Sequence, residues 1–176
     1  MTPAQMLKKA NDLLLGRYYL DAAKLFAKVA ELKPNNLKAH FWLGVTHAKQ
    51  RKFDPAKEQF ELAIALHPKA VAPLLALGRL YAERSYLEDA IRCFDKVVEL
   101  APRRGEGYME RGTAHLKLGD ADGARADLLR ALKLGSKNVS FYSSLAGGFM
   151  ELGMVDETNK AMSKAFDLTE KLFGAP

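Results

Sequence analysis

A repeat of 34 residues runs through this chain and limits what it can fold into more than any other feature. Five residue types recur at that spacing. They stand at Pro34, Pro68 and Pro102; Phe26, Phe60 and Phe94; Gly44, Gly78 and Gly112; Ala22, Ala56, Ala90 and Ala124; and Leu32, Leu66, Leu100, Leu134 and Leu168. No insertion interrupts the register. A fixed period of this length predicts stacked copies of one small structural unit.

Each copy carries apolar residues at helical spacing in two runs, which predicts two antiparallel helices. The third copy shows the pattern with Leu74, Leu77 and Tyr81, then Ala90, Phe94 and Val97. Small residues such as Gly78 and Ala90 let the two helices approach closely, where a larger side chain would overpack. The recurring proline cannot continue a helix, so it ends the second helix of the first three copies.

Acidic residues and a proline indicate where the second helices begin. Asp54 followed by Pro55 predicts an N-cap and a first-turn proline in the second copy. Asp122 and Asp156 are the corresponding N-cap candidates in the last two copies.

These columns resemble the tetratricopeptide repeat (TPR) family, whose unit is a 34-residue helix pair. The resemblance covers essentially the whole chain and divides it into repeats 3–36, 37–70, 71–104, 105–138 and 139–173. It implies an all-α fold, a right-handed α-solenoid superhelix of five tandem helix-turn-helix units. One pair cannot bury its own apolar surface, so each unit stacks on the next.

Several positions depart from the family pattern. Lys9 stands where a large apolar residue is usual, which suits a solvated outer end. Arg111 replaces the usual leucine of the fourth repeat. Gly147 and Gly148 lie inside a predicted helix, where each costs about 1 kcal/mol relative to alanine. Two interpretations of this pair stay open: close packing against a neighbouring helix, or a soft point that a ligand backbone can approach.

The resemblance also implies a binding surface, because in this family the first helix of each pair lines a concave groove. The positions that point into it are Leu7, Asn11, Phe41, Val45, Leu75, Arg79, Met109, Thr113, Leu116 and Met150. This mostly apolar set suits an amphipathic helix or an extended apolar peptide, with Arg79 placed to meet a carboxylate. Some of these residues could instead belong to the core.

The residues that grip chaperone C-terminal carboxylates in some family members have no match here. The corresponding positions of the second, third and fourth repeats hold Phe41, Val45, Ala76, Glu106 and Glu110. We therefore expect this chain to bind a different protein or peptide. Its expected role is that of an adaptor, with assembly chaperone as one form of that role.

The end of the chain supports an alternative function. Its last predicted helix carries Phe166, Leu172 and Phe173, more apolar surface than a solvated terminus needs. This would suit a self-assembling scaffold that forms head-to-tail homo-oligomers. A third possibility is a regulatory TPR segment of a larger enzyme.

Composition narrows the remaining functions. The net charge of +6 comes from the N-terminal part, where residues 1–68 hold 11 Lys and Arg against 6 Asp and Glu. These cations alternate with acids, so we expect no nucleic-acid partner. The single Cys93 and four unpaired histidines predict no metal, no cofactor and no enzymatic activity. Without a signal or a membrane-spanning run, a cytoplasmic protein is expected.

Overall fold

The computed structural model describes residues 1–174, with the backbone alone at Phe173, and holds ten helices and no strand in that range. The helices are α1 (Pro3–Leu15), α2 (Tyr19–Leu32), α3 (Leu37–Lys49), α4 (Phe53–Leu66), α5 (Val71–Glu83), α6 (Leu87–Leu100), α7 (Gly105–Leu118), α8 (Ala121–Leu134), α9 (Val139–Glu151) and α10 (Val155–Phe173). They form five consecutive pairs with short turns. The all-α tandem-repeat class predicted from the sequence is confirmed.

The second helices of the first four pairs end at the recurring leucine. In the first three pairs that leucine lies two residues before the recurring proline, as at Leu32 and Pro34. The fourth pair has no proline there, and Gly135 follows α8 with a φ of 72°. The Ser136 backbone N–H then donates to the Tyr142 hydroxyl at 3.2 Å. A left-handed glycine and a tyrosine contact thus replace the proline.

The N-cap predictions for the second helices are wrong. α4 begins at Phe53, so Asp54 lies in its first turn and Lys52 is the N-cap. α10 likewise begins before Asp156. In α8 the cap is Asp120, whose carboxylate accepts from the Gly123 N–H at 2.9 Å, two residues before the predicted Asp122. Acids in a first turn still stabilise the helix through its dipole.

The chain divides into two compact units, Met1–Leu80 and Tyr81–Pro176. In the first unit, Ala10, Ala22, Phe26 and Leu43 form a buried cluster joining α1, α2 and α3. The partly buried residues packed on it are Leu7, Leu13, Leu14, Ala23, Leu25, Ala27 and Trp42. The Thr2 hydroxyl accepts from the Gln5 N–H while the Gln5 side chain accepts from the Thr2 N–H, which closes a capping box on α1.

The close helix approach predicted from small residues is visible at Gly44. A Cβ there would lie 2.7 Å from the ring of Phe60, which is 1% exposed. Because a ring is rigid, no nearby rotamer would relieve that contact. Glycine in α3 therefore sets the distance to α4.

In the second unit, α7, α8, α9 and α10 share one buried cluster. Its members are Met109, Leu128, Ala131, Phe141, Tyr142, Leu145, Ala146, Phe149 and Ala161. Leu128 is at its centre, since Cβ atoms built on Gly112 and Gly148 would both approach it, at 3.0 and 2.7 Å. One leucine of α8 thus contacts both first helices of this unit.

Candidate interaction site

In the first unit, the predicted groove residues of α1 and α3 keep part of their surface. Leu7 and Asn11 are half-buried, and Leu7 packs on the core cluster of this unit. Phe41 and Val45 are also half-buried. The Phe41 ring meets Trp42 edge-on at 4.9 Å between centroids and lies 6.2 Å from Phe60. These contacts fix the Phe41 ring while part of it stays accessible.

The two α5 residues of the predicted groove differ. Leu75 is only 6% exposed, so it contributes to the core and offers almost no surface to a partner. Arg79 is exposed one turn later on the same helix. A guanidinium beside apolar side chains can bind a carboxylate with paired hydrogen bonds.

In the second unit, the predicted residues of α7 are largely occupied by the fold. Met109 is 6% exposed and belongs to the buried cluster, so it is a core residue. The Thr113 hydroxyl donates to the Met109 carbonyl at 2.9 Å. Leu116 is half-buried against the same cluster. The predicted groove residues of α7 therefore contribute mainly to the packing of α7 in the fold.

Helix α9 is more open than α7. Met150 is 65% exposed. Gly147 is exposed, and a Cβ there would meet nothing within 4 Å, whereas a Cβ on Gly148 would press on Leu128. The adjacent glycines therefore differ: Gly148 is there for packing, and Gly147 is open to solvent.

Sequence reasoning missed an ion cluster around Arg111. Its guanidinium donates twice to the Asp127 carboxylate, through Nε at 2.7 Å and a terminal nitrogen at 2.7 Å. Its other terminal nitrogen donates to Asp95 at 2.6 Å. The hydrogen bonds to Asp127 raise the pKa of Arg111, despite the opposing effect of burial. Arg111 thus joins α7 to α6 and α8 in place of the family's leucine.

The signal for this cluster was present in the sequence. Arg111 and Asp127 are 16 residues apart, and both interrupt columns that are otherwise uncharged in the three central repeats. When two opposite charges occupy normally uncharged, buried positions of the same repeat, they indicate an ion pair.

Of the four histidines, His40 is buried, His47 and His115 are half-buried, and His67 is exposed. His40 has its Nε2 2.8 Å from the Pro34 carbonyl and its Nδ1 2.9 Å from Gln59 Oε1. Burial, and secondarily Lys52, lowers the pKa of His47. His115 Nδ1 lies 2.9 Å from Asp120 Oδ2 without forming a hydrogen bond to it. Within residues 1–174, His, Cys, Asp and Glu side chains form no group of three that could share a metal ion.

The predicted apolar end of the chain is only partly covered. Ala165 and Leu168 pack on the buried cluster of the second unit. Phe166 is 63% exposed and Leu172 is 62% exposed. The side chain of Phe173 lies outside the described residues. Among the described helices, none is both long and apolar enough to cross a bilayer.

Both the fold and the similarity to known proteins identify the family of this chain. Two models described as tetratricopeptide repeat match residues 37–70 and 75–139, together more than half of the chain. A solved structure, a thermophilic TPR protein of Thermus thermophilus, is 25% identical with a TM-score of 0.82, covering 97% of this chain and 93% of that one. The chain belongs to the tetratricopeptide repeat family.

Its curated relatives are much longer proteins. Protein O-mannosyl-transferase TMTC3 of Homo sapiens is 25% identical over an alignment 166 residues long, which covers 83% of this chain and 17% of that protein. The Hsp70-Hsp90 organizing protein of Triticum aestivum is 36% identical over an alignment 102 residues long, which covers 54% of this chain and 16% of that protein. The chain spans less than a fifth of either. The tetratricopeptide repeat is a scaffold for protein–protein interaction, and its fold is typically non-catalytic.

Proposed function

We propose that this chain is an adaptor that binds a peptide or helix of a partner protein through the first helices of its repeats. The observation that carries the proposal is the row of half-buried apolar side chains on α1 and α3, with the exposed Arg79 on α5. Apolar side chains held in place by the core, yet accessible, suit the anchors of an amphipathic helix. An assembly-chaperone role would use the same surface.

Burial removes two of the predicted residues from the set that can bind a partner. Leu75 and Met109 are core residues, so the residues proposed to bind are Leu7, Asn11, Phe41, Val45 and Arg79 in the first unit and Thr113, Leu116 and Met150 in the second. In the first unit the anchors are Leu7, Phe41 and Val45. In the second unit Met150 is the one exposed residue of this set, whereas Thr113 and Leu116 are half-buried and held by the fold, so we expect the first unit to supply most of the affinity.

The test is quantitative capture of partners from lysate by the parent chain and by Val45→Asp with Arg79→Glu. We expect these substitutions to abolish capture of the specific partners, since an anchor is lost and a charge reversed. The matched control is Leu62→Asp with Lys57→Glu, which makes the same charge changes on α4 at an exposed leucine and a half-buried lysine. Equal capture by the parent and the first variant, both folded by circular dichroism, would disprove the assigned surface.

A second candidate function, self-association, is favoured by the C-terminal helix. Repeat register places Met162 and Phe166 of α10 where α8 has Leu128 and Leu132. Leu128 is fully buried and Leu132 packs on the cluster shared with α9, whereas Met162 is 55% exposed. The α10 face thus corresponds to an inter-repeat contact that lacks a covering helix among the described residues.

The head-to-tail form of self-association lacks a matching apolar surface on α1. Its positions equivalent to Phe141, Leu145 and Gly148 of α9 hold the exposed polar residues Gln5, Lys9 and Asp12. Pairing of two α10 faces is the version that the exposed residues support. Light scattering over a concentration series tests it: mass should grow with concentration and return to monomer in Phe166→Glu with Leu172→Glu. A monomer at all concentrations would exclude this candidate.

A further inference from the structure

The turns inside the first two helix pairs lie side by side and carry a cluster of cations. The α1–α2 turn holds Arg17, and the α3–α4 turn holds Arg51 and Lys52, with Lys49 at the end of α3. The Gln50 side-chain amide donates to the Tyr19 carbonyl at 2.9 Å, which ties one turn to the other. We call Arg17, Lys49, Arg51 and Lys52 the basic edge.

All four side chains of the basic edge are exposed. The acid of the first turn of α2, Asp21, forms an ion pair with Lys24 at 3.1 Å. The unit as a whole is strongly basic: residues 1–80 hold 13 Lys and Arg against 6 Asp and Glu, whereas residues 81–176 hold 14 against 15. The positive charge of the protein therefore belongs to the first unit.

Two of the four cations occupy an unfavourable backbone conformation. Arg17 has a φ of 64° and Arg51 a φ of 61°, the left-handed region that a side chain with a Cβ adopts at a cost. The same repeat position holds Ser85 in the third pair, with a φ of 62°, and Gly119 and Gly153 in the fourth and fifth, which adopt positive φ without that cost. The conformation is therefore common to all five turns, and the first two turns are the ones that place a cation on it.

Apolar side chains adjoin the basic edge. Leu15 is 83% exposed at the end of α1, and Tyr18 and Leu20 follow the same turn with more than half of their surface accessible. A surface that combines cations with apolar groups suits a partner with the opposite charge and apolar groups of its own.

We propose that the basic edge binds an acidic segment of a partner protein in which carboxylates flank an apolar side chain. The cations occupy only two turns, and the exposed acids Asp12 and Asp54 lie on the same two helix pairs. A short segment can avoid those acids, whereas a bilayer surface or a nucleic-acid backbone would meet them. None of the four cations belongs to the groove residues, so this site goes beyond the proposed groove function.

The test uses a fluorescent synthetic peptide in which glutamates flank one phenylalanine, and its glutamine analogue. We expect the full chain to bind the acidic peptide, with affinity falling as salt is added, and not to bind the analogue. Arg17→Gly with Arg51→Gly should lower the affinity about tenfold or more, because two charge-assisted contacts are lost. The same variant should be no less stable than the parent, since glycine is the residue that fits a positive φ.

The matched control is Lys33→Gln with Lys38→Gln, which removes the same charge from exposed positions around the α2–α3 connection. It should bind the acidic peptide like the parent. Three results would overturn the proposal: no binding of the peptide at low salt, equal losses in both double variants, or binding of phosphatidylserine vesicles or single-stranded RNA at these arginines without binding of the peptide. Groove variants test the adaptor function separately, so a failure here leaves that function intact.

Discussion

Replacing Arg111 by leucine, the residue that the family pattern favours, should destabilise the protein. The side chain of Asp127 is 9% exposed and that of Arg111 is 22% exposed, and two contacts of 2.7 Å join them. Breaking a fully buried pair from one side costs about 3 to 5 kcal/mol. Since Arg111 keeps some access to water, we expect Arg111→Leu to cost about 2 to 4 kcal/mol, chiefly because Asp127 stays buried without its cation.

The reverse deletion should cost less. In Asp127→Ala the guanidinium keeps its contact with Asp95 and its access to solvent, so we expect a loss of about 1 to 2 kcal/mol. The double variant removes both charges and should lose far less than the sum of the two, with a coupling energy of about 2 kcal/mol. Asp95→Ala is the control: its carboxylate is 52% exposed, so the expected loss is below about 1 kcal/mol.

Urea unfolding followed by circular dichroism measures all four variants against the parent. Unfolding of Arg111→Leu at the same or a higher urea concentration would contradict this prediction, because a leucine would then stabilise the protein at least as much as the ion pair does. Single losses that add up in the double variant would also contradict it, since independent effects exclude an energetic coupling across the pair.

Three further predictions concern stability. Gly147→Ala should stabilise by about 0.5 to 1 kcal/mol because its Cβ enters open space, whereas Gly148→Ala should destabilise by about 1 to 2 kcal/mol because its Cβ presses on Leu128; equal shifts in thermal melts would contradict this. Phe60→Ala should cost about 3 to 5 kcal/mol in urea melts, and overlaid curves would show that the packing register is wrong. The folded state lowers the pKa of His47, so it binds protons less readily than the unfolded state. Stability should therefore fall as pH drops below about 6.5, and less so in His47→Gln; identical pH profiles would contradict that assignment.

The sequence predicts the helix pairs because the repeated columns record contacts that every copy makes. Phe60 is buried where the register places it, and Gly44 provides the space that its ring needs. The polar Lys9 is exposed on α1, as its departure from the pattern predicts. A contact that every repeat makes appears in the sequence as one residue type recurring every 34 residues, so the recurrence identifies the contact.

Structural features that do not recur from repeat to repeat are harder to predict from the sequence. The N-cap of α8 is Asp120 and not Asp122, because the helix already begins at Ala121. The positions of the acids and of Pro55 indicate a later start for the second helices. Leu75 and Met109 have groove register, yet their exposure depends on how closely the helices around them pack. The Arg111 cluster joins three residues from three helices in a single repeat, so its signal in the sequence is limited to two opposite charges in columns that are otherwise uncharged in the central repeats.

The sole tryptophan gives the protein an intrinsic optical reporter. Trp42 lies in the first unit, edge-on to Phe41 and partly buried, so its emission senses whether α3 stays packed. Circular dichroism averages over all ten helices. If the two signals change at different denaturant concentrations, the N-terminal half unfolds as a separate cooperative block. Coincident transitions would mean that the repeats unfold together, so the location of one indole makes cooperativity along the array measurable without a label.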